Sequence, residues 1–421
     1  MRMFTAGSDP KSCWWADPPK PFPVLEGDMD ADVLVVGGGV TGVTLGYTLA
    51  EQGSVVALLE SGPIAGSASG RNAGFLMVAS ADSYKDEIEF WGRPTARAVM
   101  EMARKSHQRI QGLVATLEIE CDYARRGSLR LAATEEEAEE QRVSIPLLKH
   151  DGFEVREVTL ADALPAGAQP SAAAAFLTPE DGELHPVKFL HAVSRAAERR
   201  GARYYAHSPV RMARWEGGLW AAHTERGVAR ARTMVLCTNA FTAELCPALK
   251  PLIAPRRGQM LSTAPLGRTV ANHPTYAQRG YQYWRQLPDT RLVIGGWRDL
   301  DFDGEVGYGD EPTTKIQAGI EAGLQALVPE GVAIEHRWAG TMGFARDGRP
   351  MVGWLDAAHH LAICAGYTGH GMGLAAGCTQ ELADLLSWRR APGIACFDPL
   401  RFAELRQGRD GFVKLGMVDS R

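Results

Sequence analysis

The chain is organised around residues 32–60, which read DVLVVGGGVTGVTLGYTLAEQGSVVALLE. The first apolar run, Val33 to Val36, is short and continuous, as expected of a strand buried on both faces of a parallel sheet. A glycine-rich turn and a stretch with helical spacing of apolar residues follow. A second apolar run, Val55 to Leu59, then ends in Glu60. The pattern predicts a strand, a helix and a second, parallel strand.

The turn has the spacing G-x-G-x-x-G, with glycines at 37, 39 and 42. In this motif the first glycine permits the tight turn, the second lets a pyrophosphate approach the backbone, and the third lets the helix pack closely on the strand. The helix N-terminus, which includes Val40 and Thr41, offers free N–H groups and a partial positive charge to phosphates. We therefore expect a dinucleotide site. A glycine-rich turn in an ordinary α/β protein is the alternative.

The acid at the end of the second strand favours the dinucleotide interpretation. Glu60 lies 21 residues after Gly39, close to the offset of about 20 residues expected of an acid that binds a ribose hydroxyl. The loop that follows, SGPIAGSASGRNAG at 61–74, is rich in small residues that let backbone lie against a flat ligand. Arg71 within it could reach a phosphate or a substrate, while a flexible linker is the alternative interpretation of the loop.

Bulk properties bound the class of protein. With 421 residues the chain is expected to form two domains. A hydrophobic fraction of 45%, a charged fraction of 23% and a net charge of −5 are typical of a soluble globular protein and do not suggest nucleic acid as a partner. The seven cysteines are scattered and form no C-x-x-C, which indicates free thiols. Residues 1–30 lack a signal-peptide core and read as an extended arm, so we expect a cytoplasmic protein without a membrane span.

Local patterns predict the remaining elements. The expected helices are 84–120, 183–200, 315–327 and 374–388, the last preceded by the glycine turn GYTGHGMG at 366–373. The expected strands are 126–132, 202–206, 218–224, 229–236 and 361–365, together with a separate antiparallel sheet formed from 251–265, 276–284 and 292–297. The expected loops are 161–175 and the glycine-rich stretch 339–353.

Five motifs along the chain resemble one family. They are VVGGGVTG with Glu60, SGRNAG (69–74), CTNAF (237–241), DGRPMVG (347–353) and GYTGHGMG (366–373). In this order they resemble the FAD-dependent amine and amino-acid oxidoreductases of the D-amino acid oxidase, glycine oxidase and sarcosine oxidase superfamily. The most similar branch is the γ-glutamylputrescine oxidase-like one, which also has a Trp-containing N-terminal arm and an SGRN loop. The resemblance covers nearly the whole chain.

The resemblance implies an α/β fold with a Rossmann-like FAD-binding domain of the glutathione reductase type and a second, mixed-sheet α+β substrate domain. The implied layout is an N-terminal arm at 1–29, an FAD-binding domain from 30–83, 180–248 and 335–390, a substrate-binding domain from 84–179 and 249–334, and a C-terminal tail at 391–421.

The resemblance also implies the cofactor, FAD, and the residues that hold it. These are Gly37, Gly39, Val40, Thr41, Gly42, Glu60, Ser61, Ser69, Arg71, Asn72, Ala73, Gly74, Val210, Thr238, Asn239, Gly340, Gly369, His370, Gly371 and Met372. The early glycines and Glu60 would bind the ADP half, and the last group would meet the flavin at a helix N-terminus. Sarcosine oxidases attach their flavin through a cysteine in the loop that matches 339–344. That stretch is AGTMGF here, so non-covalent FAD is expected.

The implied reaction is oxidation of the C–N bond of an amine or amino acid by hydride transfer to flavin N5, giving an imine that hydrolyses. His370, Tyr281 and Tyr283 are the candidate catalytic residues, and Trp284 resembles a further aromatic of the substrate side. A hydrogen-bonded structural histidine and core aromatics are the alternatives. Partners would be the small-molecule substrate and O2 or another electron acceptor, with no metal.

Two other functions stay open on the sequence. One is an FAD-containing electron-transfer subunit of a larger dehydrogenase complex, and the other is a non-catalytic or NAD-binding protein built on the same unit. The substrate is also open. Glycine oxidase-like relatives place a carboxylate-binding arginine five residues before the Asp of D-G-x-P, where this chain has Met342. This favours an amine without an adjacent carboxylate, or an N-substituted compound, unless Arg71, Arg285, Arg298 or Arg346 supplies the charge.

Overall fold

The structure, a computed structural model, describes residues 12–78, 82–164, 172–407 and 414–415. The strands are β1 (Met29–Val36), β2 (Val56–Leu59), β3 (Phe75–Leu76), β4 (Ser128–Ala132), β5 (Arg156–Val158), β6 (Ala174–Thr178), β7 (Gly182–Glu183), β8 (Arg203–Tyr205), β9 (Met212–Glu216), β10 (Leu219–His223), β11 (Val228–Leu236), β12 (Ile253–Thr263), β13 (Thr275–Ala277), β14 (Gln282–Gln286), β15 (Leu292–Gly296), β16 (Ile334–Ala345), β17 (Met351–Asp356), β18 (Leu361–Ala365) and β19 (Lys414–Leu415).

The α-helices are α1 (Val40–Glu51), α2 (Tyr84–Trp91), α3 (Arg93–Thr116), α4 (Glu135–His150), α5 (Leu160–Ala163), α6 (Pro186–Arg199), α7 (Thr242–Leu245), α8 (Thr314–Leu327), α9 (Gly371–Leu386) and α10 (Ala403–Gln407).

The first sheet confirms the predicted strand–helix–strand unit. Its order is β19-β9-β10-β11-β1-β2-β8, with β18 beside β11 and β17 beside β18. β1 lies between β11 and β2 and is parallel to both. Val33 to Val36 are buried on both faces. Val33 and Val35 share a core cluster with residues of α1, α6 and α9, and Leu34 and Val36 share another with Trp220, Leu249 and Phe402. The carboxyl ends of these parallel strands meet at one edge, where doubly wound sheets bind their ligands.

The second sheet has the order β16-β12-β15-β14-β13-β4-β6-β5. The strands β12, β14 and β15 pair in antiparallel fashion, which confirms the antiparallel sheet expected between residues 251 and 297. β13 pairs in parallel with β4, so the sheet as a whole is mixed. Its apolar face packs on α8 through a core that includes Leu261, Ile294 and Ile320.

The prediction of a glycine-rich loop over 339–353 was wrong. The stretch lies mostly in β16 and β17, and β16 pairs with β12 from Ile253 to Thr263. The glycines that suggested a loop are needed for another reason, because neighbouring residues leave no room for a Cβ atom at these positions. A Cβ at Gly340 would lie 3.0 Å from the Cβ of Arg71, and one at Gly343 would lie 2.7 Å from Oδ1 of Asn239. A glycine inside a strand often marks such a close approach.

Three other boundaries differ from the prediction. The helix expected over 84–120 is broken at Gly92, which has a φ of +79° and separates α2 from α3. The last helix begins at Gly371 instead of residue 374. The loop expected over 161–175 contains α5 and the start of β6, and its residues 165–171 lie outside the described part of the chain. β9, which was not predicted, forms a hairpin with β10.

The helix predicted over 183–200 is confirmed, with α6 beginning at Pro186. His185 is the residue that precedes α6, and its Nδ1 accepts a hydrogen bond from the Lys188 N–H at 3.3 Å. Pro186 follows at the first helical position, where its missing N–H costs nothing. His185 therefore caps the N-terminus of this helix.

The structure also shows how the proposed domains touch. β16 lies in the second sheet although 335–390 was assigned to the FAD-binding domain. α3 packs against α9 although 84–179 was assigned to the substrate domain. β3 and β7 form a small two-stranded sheet. The domain bounds stay a prediction. These contacts would assign β16 to the substrate-binding domain and α3 to the FAD-binding domain.

Candidate active site

The turn after β1 has a geometry that only glycine satisfies. Gly37 has a φ of +111° and lies against the Cys237 carbonyl, 2.6 Å from where its Cβ would be. A Cβ at Gly42 would lie 1.8 Å from the Gly37 oxygen, so a side chain there would separate α1 from the turn. The two positions therefore fix how closely the helix N-terminus approaches the strand, as the motif requires.

The helix N-terminus is held by two side chains from later in the chain. The Val40 N–H donates to Ser69 Oγ at 2.8 Å, and the Gly38 N–H donates to Glu60 Oε2 at 2.5 Å. Gly39 precedes α1 and has no side-chain cap of its own. A Cβ on Gly39 would lie 2.8 Å from Ser69 Oγ, so a larger residue would fill the space between the turn and the serine. This arrangement suits a phosphate at the helix N-terminus.

Glu60 ends β2 at the same edge of the sheet. Its Oε1 accepts hydrogen bonds from the Gly62 N–H and the Ser61 hydroxyl, both at 2.9 Å. The carboxylate is half-buried and is held by these donors and the turn. The position and orientation fit an acid at the ribose end of a dinucleotide. Ser61 itself is exposed, and its hydroxyl donates to this carboxylate.

The loop 61–74 is an ordered part of the site in the structure. Asn72 holds its shape, because its amide donates to the carbonyls of Ala68 and Ser69 and accepts from the Gly74 N–H. The Asn72 side chain is thus committed to the loop, so any contact with a ligand must come from its backbone. Ala73 is buried. The alternative of a flexible linker does not fit this network.

Arg71 joins the loop to the second sheet. Its Nε donates to the Gly66 carbonyl at 2.9 Å, and its Nη1 donates to the Ala339 carbonyl at 3.1 Å. Nη1 also lies 3.4 Å from a carboxylate oxygen of Asp310. Gly340, which follows Ala339 in β16, leaves room for the alkyl part of the Arg71 side chain, because a Cβ there would lie 3.0 Å from the Arg71 Cβ. The guanidinium is therefore occupied by protein acceptors.

The N-terminal arm packs behind the same loop. The Ser12 hydroxyl donates to the Gly70 carbonyl at 2.6 Å, and the Trp14 indole N–H donates to the Asn72 carbonyl at 2.8 Å. The Trp14 ring is buried, with the guanidinium of Arg285 over it at 5.3 Å. Arg285 in turn donates to the carbonyl of Gly74. The arm therefore holds the same loop through two of its backbone carbonyls.

Several predicted cofactor residues use their side chains for hydrogen bonds within the protein. The Thr41 hydroxyl donates to the Tyr367 hydroxyl at 3.1 Å, beneath α1. Thr238 shares a hydrogen bond with Thr242, and Asn239 Oδ1 accepts from the Gly366 N–H at 3.0 Å. Val210 is half-buried in the loop before β9. At these positions a cofactor contact would come from the backbone or an alkyl group.

The second glycine turn brings His370 to the start of α9. Thr368 and Gly369 both have positive φ, at +52° and +91°, and His370 directly precedes the helix. His370 Nδ1 lies 3.1 Å from the Thr368 carbonyl, so Nδ1 carries the proton. Nε2 is then an acceptor, and it is buried without a hydrogen-bond partner among the described residues. Gly371 and the buried Met372 form the first turn of α9.

His370 is expected to be neutral at neutral pH. Burial lowers its pKa, and the nearby positive charges of Arg130 and Arg298 act in the same direction. The Thr368 carbonyl and the Asp82 carboxylate oppose the shift without reversing it. A buried imidazole with a free Nε2 lone pair can accept a hydrogen bond or a proton from a ligand.

Aromatic side chains of the second sheet and of β3, together called the aromatic cleft here, lie near this turn. Tyr276, Tyr283 and Phe75 pack together, with ring centroids 5.5 to 6.3 Å apart. Phe344 and Met342 of β16 lie close to Gly369, about 4 Å from where its Cβ would be. Burial raises the pKa of Tyr276 to about 12 and holds that of Tyr283 above its usual value, so both hydroxyls stay protonated.

The structure separates the three candidate aromatics of the substrate side. Tyr281 and Tyr283 are half-buried beside the cleft, and Tyr281 packs edge-on against Phe302. Trp284 points to the opposite face of β14, into the core beneath α8, so its assignment to the substrate side was wrong. The alternation of side chains along β14 explains the difference. Tyr276, Phe344 and Phe75 were missed because their strands were not aligned with β14 from sequence alone.

The glycine turn at the carboxyl edge of a parallel sheet, roofed by a mixed sheet, defines a dinucleotide-binding oxidoreductase. A family model described as DAO, FAD dependent oxidoreductase, matches residues 32–385. The chain belongs to this family, and the resemblance drawn from the motifs is confirmed. Its cofactor is FAD, and the glycine turn, Ser69 and Glu60 fit that cofactor.

One known protein and one crystal structure show how similar this chain is to its relatives. The chain is 27% identical over 388 residues to the gamma-glutamylputrescine oxidoreductase of Escherichia coli K12, covering 87% of this chain and 86% of that protein. It superposes on the crystal structure of glycine oxidase from Geobacillus kaustophilus with a TM-score of 0.75 and 23% identity, covering 89% of this chain and 99% of that one. The superposition confirms the fold class.

No helix among the described residues is long and apolar enough to cross a membrane. In the same part of the chain, no group of three or more His, Cys, Asp or Glu side chains is placed to hold a metal ion.

Proposed function

We propose that this protein oxidises a carbon–nitrogen single bond of a small amine or amino acid, producing an imine that hydrolyses in water. The observation that carries the proposal is the juxtaposition of His370 with the aromatic cleft at the second glycine turn. The gamma-glutamylputrescine oxidoreductase and glycine oxidase relatives support a substrate that contains nitrogen. When bound, FAD supplies the hydride acceptor for such a reaction.

The residues that would hold FAD lie on one path across the carboxyl edge of the first sheet. The turn at Gly37 and Gly39 would meet the pyrophosphate, Glu60 the ribose, and the loop 69–74 the middle of the cofactor. The first turn of α9, at Gly371 and Met372, would present N–H groups to the flavin. FAD is expected to be bound without a covalent link. The stretch 339–344 has no cysteine, and Cys364 is buried with its pKa raised by burial to about 12.

The side chains of the cleft would orient the substrate and exclude water. Rings of Tyr276, Tyr281, Tyr283 and Phe344 form a mostly apolar wall that favours the neutral form of an amine over its ammonium ion. Hydride leaves a carbon only when the adjacent nitrogen has its lone pair free, so deprotonation must come first. His370 Nε2, a neutral acceptor, would take that proton or hold the nitrogen by a hydrogen bond; the buried Nε2 without a partner among the described residues supports this role.

The test is an anaerobic titration of the purified protein with a panel of amines, N-methyl amines and amino acids. The protein as purified should show the absorbance of oxidised flavin, and acid precipitation should release that flavin into the supernatant. An accepted substrate should bleach the flavin, and admitting oxygen or an artificial acceptor should restore it. A wild-type protein that binds no FAD, or whose flavin no member of the panel reduces, would contradict the proposal.

A single variant checks the role assigned to His370. His370→Asn keeps a side chain that can bond to the Thr368 carbonyl but removes the imidazole. The rate of flavin reduction should fall about 10²- to 10⁴-fold, which is the usual contribution of a general base. FAD content should be unchanged. A variant that reduces its flavin at the wild-type rate would show that His370 serves only to shape the turn.

A further inference from the structure

A guanidinium is buried between the loop 61–74 and the second sheet. Arg285 of β14 is only 1% exposed, and its Nη1 donates to the carbonyls of Gly74 and Leu184 at 3.0 and 2.9 Å. Gly74 is the last residue of the loop, and Leu184 directly follows β7. A charged side chain of the second sheet therefore holds the end of the loop that would meet FAD.

The charge of Arg285 is balanced by one buried acid. Its Nε lies 3.3 Å from Oε2 of Glu183 in β7, whose side chain is also buried. Neither atom makes a hydrogen bond to a described residue, so the pair attracts through its charges and not through an aligned hydrogen bond. Oε1 of the same carboxylate accepts from Nη2 of the exposed Arg126. Two guanidiniums around one carboxylate leave one net positive charge.

The neighbouring titratable groups do not cancel this net charge. Burial lowers the pKa of His185 to about 4, so its imidazole is neutral at neutral pH. Burial raises the pKa of the Cys13 thiol to about 12, so it keeps its proton. Asp122 is paired with Lys188, with Oδ2 and Nζ 3.6 Å apart. The positive charge beside Gly74 therefore persists in the folded protein.

Folding stability alone does not explain a charge at this place. Taking two ions out of water costs about as much as their attraction returns, and an apolar pair of similar volume is often equally stable. The backbone nevertheless leaves room for the guanidinium. Gly74 has a φ of +75°, and a Cβ there would lie 2.7 Å from Arg285 Nη1. The arrangement favours an electrostatic role for the arginine.

We propose that Arg285 is a positioning residue for FAD, which fixes the Gly74 end of the loop and raises the reduction potential of the bound flavin through its charge. Reduction adds negative charge to a flavin, so a nearby positive charge favours the reduced form. Glu183 holds the guanidinium in place and moderates its effect. The inference rests on the path proposed above for FAD along the loop, and it does not depend on the substrate.

The experiment measures the reduction potential of the bound flavin at neutral pH by titration against a reference dye, with no amine present. Arg285→Met should lower the ratio of reduced to oxidised flavin at a fixed potential about tenfold, the size of one charge interaction in a partly buried site. Glu183→Gln leaves Arg285 unbalanced and should raise that ratio by a similar factor. The double variant keeps one net positive charge, on Arg126, and should return close to wild type.

The opposite signs separate an effect of charge from an effect of structure. A loop that was merely displaced would shift the ratio in the same direction in both single variants. Arg285→Lys keeps the charge and should stay close to wild type. If Arg285→Met yields no folded protein, Glu183→Gln and Arg285→Lys still carry the test, because one should raise the ratio and the other should leave it unchanged.

The matched control is Arg257→Met, which breaks another buried ion pair. Arg257 Nη2 lies 2.7 Å from Oε1 of Glu305, and the same oxygen accepts from Gln259, whose amide oxygen accepts from Gln317 of α8. This pair lies on the side of the second sheet that packs on α8, away from the loop 61–74. The control variant should have a lower thermal midpoint and an unchanged reduction potential.

The proposal is overturned if the two single variants shift the ratio in the same direction, or if neither differs from wild type. Such a failure is distinct from that of the proposed function, because the potential is measured without substrate. A wild-type flavin that amines still reduce would leave the proposed function standing. A flavin that no amine reduces would contradict the proposed function and leave the measured potentials valid.

Discussion

At the residue scale, the glycine turn after β1 can form only because its glycines have no Cβ atom. A Cβ at Gly42 would lie 1.8 Å from a backbone oxygen that cannot move without moving β1. Gly112 of α3 offers the matched contrast, because a Cβ there has no neighbour within 4 Å. The two glycines are both helical, so they differ in their surroundings and not in their backbone conformation.

Gly42→Ala is expected to yield protein with little or no bound FAD, because α1 must shift away from the turn that would hold the pyrophosphate. Gly112→Ala should retain full flavin content and gain up to about 1 kcal/mol in stability from helix propensity. Flavin absorbance per protein and the thermal midpoint of each variant provide the comparison. Equal flavin content in the two variants would contradict the steric argument.

The residues of the site differ in how far the sequence could identify them. Gly37, Gly42 and Glu60 belong to one contiguous unit, so their spacing alone defines their roles. Phe344 escaped notice because its place beside the other aromatic side chains depends on the pairing of β12 with β16. That pairing joins residues about 90 positions apart, and no short-range pattern encodes it.

At the scale of elements, the arm and β16 together enclose the loop 61–74. The loop looked flexible in sequence because it is rich in Gly and Ser, yet its carbonyls accept hydrogen bonds from Ser12 and Trp14 of the arm and from Trp338 of β16. The strand β16 was missed for the same reason, because its contacts are with residues that lie far away in the sequence. Its glycines are demanded by Arg71 and by Asn239, which lie far away in the chain, so a local reading assigned them to a loop.

Trp14→Phe tests whether the arm positions this loop for the cofactor. Phenylalanine keeps an aromatic ring near Arg285 but lacks the N–H that donates to the Asn72 carbonyl. The dissociation constant of FAD should rise about fivefold, corresponding to one hydrogen bond of about 1 kcal/mol. Fluorescence titration of the apoprotein with FAD gives this value. Trp388→Phe, at an exposed tryptophan, should leave it unchanged, and an equal effect of both variants would argue against a specific role for the arm.

At the scale of the whole molecule, buried histidines make stability depend on pH. His191 lies beneath the arm, with Nε2 3.0 Å from the Ile64 carbonyl, and burial lowers its pKa to about 4. In the unfolded chain the pKa would be about 6.5. As pH falls below 6.5, the unfolded state therefore binds a proton that the folded state does not, and the free energy of unfolding decreases.

His191→Gln removes this titration while keeping a donor for the Ile64 carbonyl. Between pH 7 and pH 5, wild type should lose on the order of 1–2 kcal/mol more stability than the variant. Denaturant unfolding at both pH values measures the difference. His207→Asn is the control, since His207 is exposed and its φ of +48° suits asparagine. Identical pH dependence in wild type and His191→Gln would show that the histidine gains its proton without unfolding.

The bonds of Arg71 have a thermodynamic consequence. One side chain holds Gly66 in the loop that would meet FAD and Ala339 in the strand that borders the substrate cleft. If FAD binding moves that loop, Arg71 carries the movement to β16. If substrate binding moves β16, Arg71 carries that movement to the loop. Coupling between two binding equilibria is reciprocal, so the factor by which FAD improves the affinity for a substrate analogue must equal the factor by which the analogue improves retention of FAD.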